Sequence, residues 1–86
     1  MGLNELRDEA REFLVGIGQS ERKASEIIPI LDEEGALLKN SIHKKEKLYH
    51  QIYDVLFLLF ELAGQYDCDL ELEWEKGRKK KQEKYL

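Results

Sequence analysis

The stretch "HQIYDVLFLLFELAGQYDCDLE", residues 50–71, decides the fold of this chain. It holds an almost unbroken apolar run from Val55 to Leu62, in which Glu61 is the only charge. Such a run reads as a helix covered on most sides rather than one lying on a surface. Leu48, Ile52, Val55, Leu56, Leu59, Phe60 and Ala63 continue it, so a long third helix is expected, capped by Ser41 and closed at Gly64. Asp54 stands at the head of the run. A carboxylate there is costly unless it is paired, hydrogen-bonded or bound to a metal, which makes it the first candidate for chemistry.

Working outward, Leu3, Leu6, Ala10, Phe13, Leu14 and Ile17 recur at spacings of three and four, which predicts a first helix over about 3–16. Gly16 and Gly18 stop it. Ile27, Ile28, Ile30, Leu31, Leu37 and Leu38 predict a second helix over about 27–39, with Ser20 or Ser25 as its cap. Pro29 marks its start or a kink, because proline has no N–H to give to the carbonyl four residues back. Asp67 or Asp69 caps a fourth helix with Leu70, Trp74 and Tyr85 on one line. The fold class is therefore all-α, a small bundle of about four helices forming one domain over 1–86.

A chain of 86 residues buries only about 60–65% of its unfolded surface, so dimerisation or higher assembly is the natural way to complete this core. A homodimer or homotetramer is expected. The net charge of -4 argues against a nucleic-acid partner, although "KGRKKKQEK" (76–84) is locally basic. Cys68 is the only cysteine, so no intrachain disulfide can form. "MGLNELRDEA" is acidic and amphipathic, and no apolar run approaches the ~20 residues that span a bilayer. A cytoplasmic protein with no membrane partner is expected.

Two acidic spots fall on consecutive helices: Asp32-Glu33-Glu34 on the second and Asp54 on the third. Oxygen ligands on facing helices are the form a magnesium site takes when phosphates and water complete the octahedron. At this point the sequence resembles the MazG-like nucleoside triphosphate pyrophosphohydrolases. "LDEEGALLK" (31–39) is similar to that family's acidic second helix, and residues 50–85 are similar to its aspartate-led third helix, turn and basic-ended fourth helix. The resemblance implies magnesium-dependent (or manganese-dependent) hydrolysis of a nucleoside triphosphate to monophosphate and pyrophosphate. It implies that Glu33 and Asp54 are catalytic and hold the metal, that Gln51 assists as a ligand, and that Lys76 and Lys80 meet phosphate.

The departures are specific. The four ligand positions of the family fall on Glu33, Ala36, Gln51 and Asp54, so two of four carboxylates are missing. Each opposite unit charge at ~4 Å contributes on the order of 4 kcal/mol at an effective dielectric of about 20, before desolvation. Asp32, Glu34, His50 and Glu61 are the substitutes within sequence reach. The alternative expectation is a non-catalytic module of the same fold, kept for nucleotide sensing or protein contact, and Ala36 and Gln51 are the residues that favour it.

Overall fold

The computed structural model describes all 86 residues as four α-helices with no strand: α1 (Leu3–Gly16), α2 (Ala24–Lys39), α3 (Lys45–Gln65) and α4 (Leu70–Tyr85). α3 is the axis of the fold, with α1 and α2 packed on it, whereas α4 has α1 as its packing partner. No helix is long and apolar enough to cross a membrane.

The helix ends explain how four helices fit in so short a chain. α1 closes in a Schellman motif: Gln19 N–H donates to Leu14 C=O at 2.8 Å and Gly18 N–H to Val15 C=O at 3.1 Å. Gly18 carries the left-handed residue, at φ 73°. α3 ends the same way, with Cys68 N–H on Ala63 C=O and Asp67 N–H on Gly64 C=O. There the left-handed position is held by Asp67 at φ 49°, a residue whose short polar side chain tolerates it. Asp67 thus terminates α3, and Asp69 caps α4 by accepting Leu72 N–H at 3.0 Å.

Two expected boundaries differ. α2 begins at Ala24, three residues before the expected start, with Pro29 inside it. The carbonyl that Pro29 leaves without a donor belongs to Ser25, exposed in the first turn where water can serve it, so the proline costs little. The extra turn places Ile27 in the core, fully buried at 0% exposure. The cap is Lys23 rather than a serine, and its N–H is taken by the Glu26 carboxylate at 3.3 Å. Ser41 does not cap α3. Its hydroxyl donates back to Leu37 C=O at 2.6 Å, a local bond that closes α2, and α3 starts four residues later.

The core is thin. Ala10, Leu14, Ile27, Leu58 and Ala63 are its buried apolar residues, while Phe13, Ile28, Leu37, Tyr53, Leu56, Leu59 and Trp74 remain exposed. Buried Glu61 is neutralised by a fork from Arg22, whose Nε donates to one carboxylate oxygen at 2.9 Å and Nη2 to the other at 2.5 Å. These hydrogen bonds raise the Arg22 guanidinium above its ordinary value, against the lowering effect of desolvation. Gln65 donates to Ser20 C=O at 2.7 Å beside it, so two side chains of α3 hold the α1–α2 loop.

α4 is held at its first turn by α1. The Asn4 amide oxygen accepts Leu70 N–H at 2.8 Å, and its nitrogen donates to Asp69 at 3.0 Å and to Glu71. Arg7 donates to Cys68 C=O at 2.6 Å. The Asn4 amide, then the Leu72 N–H, hold the Asp69 carboxyl below its usual range. A depressed carboxyl adds stability that is present above its unfolded value, about 3.9, and lost as pH falls through the folded one. Urea midpoints measured from about pH 5 to about pH 3 are therefore expected to fall less steeply in Asn4→Ala than in the wild type. Parallel acid limbs would show that this contact adds nothing.

Candidate functional site

Of the side chains singled out by the acidic pattern, Glu34 lies on the seam between α2 and α3, and the seam is organised around Gln51. This residue is only 7% exposed, and its amide nitrogen donates to Glu34 C=O at 3.0 Å and to the Glu34 carboxylate. Gln51 therefore meets Glu34, one residue on from the expected Glu33. Successive residues on a helix point about 100° apart, so a seam that faces Glu34 turns Glu33 away, and Glu33 is exposed.

Asp54 lies one turn after Gln51 on α3 and is half-buried. Its oxygen stands 3.3 Å from Nε2 of His50, an i,i+4 pair in which the histidine is largely exposed. Such a surface pair adds little to stability, and only when the imidazole is protonated. Ala36 is exposed and has no ligand atom. Glu61, a possible substitute by sequence, is committed to Arg22.

Lys76 and Lys80 stand on α4, exposed, with Lys76 3.5 Å from Glu73 of its own helix. They are carried by the helix that packs on α1, whereas Gln51 and Glu34 close the α2/α3 seam. No three His, Cys, Asp or Glu side chains converge anywhere in the chain as a group able to hold a metal ion.

The donor set does not fit a resident magnesium ion. Magnesium needs several oxygens converging at octahedral positions. Here the buried position presents an N–H donor toward the Glu34 carboxylate, where a magnesium site would present a further oxygen ligand. The Gln51 amide gives the Glu34 carboxylate a neutral hydrogen-bond donor in place of a further ligand oxygen. Arg7, Arg22, Asn4 and Gln65 carry the other long-range polar contacts, and sequence reasoning missed all four. Each pairs with a group 39 or more positions away, which no local spacing announces. No family model, curated protein or solved structure matches this chain.

Proposed function

We propose that this chain is a non-catalytic helical module, MazG-like in outline, that works by contact with another protein chain. One observation carries the reading: at the position where the resemblance asks for a ligand carboxylate, buried Gln51 donates to Glu34 and closes the α2/α3 seam. A neutral amide N–H in contact with a carboxylate oxygen is a stable pairing that needs no metal. The wide apolar surface outside this seam is what remains for function, and large exposed apolar patches mark association sites.

A second reading, a magnesium-dependent nucleoside triphosphate pyrophosphohydrolase, is favoured by the meeting of Glu34 with Gln51 and by Asp54 one turn further along α3. The two readings separate on turnover. Incubation with magnesium and a panel of nucleoside triphosphates is expected to release no pyrophosphate above the Asp54→Ala variant. Release that this substitution abolishes would establish the second reading.

A further inference from the structure

The accessible surface is 6828 Å² for a 10.2 kDa chain. A folded monomer of that mass exposes about 5,300 Å², so roughly 1,500 Å² stands open in excess. The radius of gyration tells the same story, at 14.7 Å against about 12 Å for a compact domain of this length. The excess exceeds the ~800 Å² that each partner gives to a standard interface and falls in the range of obligate homodimers.

Two surfaces stand out among the exposed apolar residues. One is a groove of about 510 Å³ between α1 and α3, lined by Leu6, Ala10, Phe13, Tyr53, Leu56 and Phe60 among others. Phe13 and Tyr53 in it are 56% and 60% exposed. The other is α4, which has no buried residue and carries Trp74 at 66% exposure. Trp74, Arg78, Lys81 and Tyr85 recur at spacings of four, three and four, so α4 presents one face of two aromatics separated by two cations. Glu9 lines the groove, and Glu5 and Glu12 recur with it on α1 at spacings of four and three, all three exposed and outside every ion pair of the chain.

We propose that a second copy of this chain covers these surfaces by arm exchange, the α4 of each copy lying in the α1/α3 groove of the other. The proposal rests on the reading of the chain as a contact module and names its partner. The complementarity is specific: an acidic-rimmed aromatic groove receives a helix whose face is aromatic at its ends and basic between. A two-fold axis makes both contacts at once, so one chain supplies groove and arm alike and the assembly closes at two. The clamp of Asn4 and Arg7 on the start of α4 fixes the direction in which each arm leaves its own α1.

Trp74 is the only tryptophan, which gives the test a direct reporter. Light scattering on the full chain at micromolar concentration is expected to give twice the 10.2 kDa chain mass. Trp74 emission is expected to be blue-shifted in that species and to move to the red as dilution separates the copies. Glu9→Lys with Glu12→Lys, or Arg78→Glu with Lys81→Glu, should each weaken pairing by about tenfold or more, which corresponds to 1.4 kcal/mol or more. A chain carrying both reversals should pair again. A chain-mass species at every concentration would overturn the proposal. So would a dimer whose Trp74 emission is that of an exposed indole, or a failure of the combined reversal to restore pairing. Each readout is a mass or a spectrum, so arm exchange stands or falls separately from the turnover assay.

Discussion

Replacing Arg22 with methionine is expected to cost about 3–5 kcal/mol of stability, because the Glu61 carboxylate is then left in the interior without a counter-charge. The Glu61 side chain is 1% exposed and both of its oxygens are engaged by the Arg22 guanidinium. A domain of this size loses about 4–8 °C of Tm per kcal/mol, so the variant should melt at least ~12 °C lower. The cost belongs to the orphaned charge and not to the pair itself. Adding Glu61→Leu to Arg22→Met removes that charge, and the double variant is expected to recover most of the loss or to exceed the wild type. Chemical denaturation of the four chains of this cycle measures both numbers. A single variant within ~0.5 kcal/mol of the wild type would mean that the fork does not hold Glu61 in the folded protein.

Ile27→Ala carries the second large effect. Ile27 is the only large side chain that is fully buried, and it belongs to a core with four other buried apolar residues. Truncation loses the transfer free energy of the removed methyl and methylene groups and leaves a cavity, together about 2–5 kcal/mol. With so few buried neighbours the cavity is hard to fill without moving α2 on α3. Ile27→Val, which keeps the β-branch, should cost about 0.5–1.5 kcal/mol. Against a total stability on the order of 4–13 kcal/mol for this length, Ile27→Ala is expected to remove a large share of the margin and to lower Tm by at least ~8 °C. A loss under ~1 kcal/mol would show that the α2/α3 contact is not the centre of the core.

Much of the fold was legible because it is written in local spacing. Leu3 to Ile17 give α1 by periodicity, Gly18 supplies its left-handed stop, and Asp69 caps α4 as expected. The start of α2 was misplaced because Pro29 is a strong local signal, and burial of Ile27 outweighs it. Ser41 was assigned to the wrong helix because a serine between two helices can bond either way, and here the nearer carbonyl of Leu37 takes its hydroxyl. The site was legible only as a neighbourhood. Glu34 of α2 and Gln51 of α3 meet where Glu33 was the expected partner, and whether Glu33 or Glu34 faces the seam depends on the rotation of α2 about its axis. That rotation is set by long-range packing on α3, not by the motif.

The role of Gln51 also explains why a resemblance in pattern can part from a resemblance in chemistry. A carboxylate at this position would face Glu34 as a like charge and would need a cation; the amide removes that need while keeping the helix packing. Placing a carboxylate at Gln51 would therefore change the chemistry of the seam more than its shape.

The most direct measurement is pyrophosphate release from nucleoside triphosphates by the purified full chain, with magnesium and with manganese, beside Asp54→Ala. Release indistinguishable from that variant with every nucleotide is the predicted result. Release that depends on the metal and vanishes in Asp54→Ala would contradict a non-catalytic module and would place a working site on the α2/α3 seam.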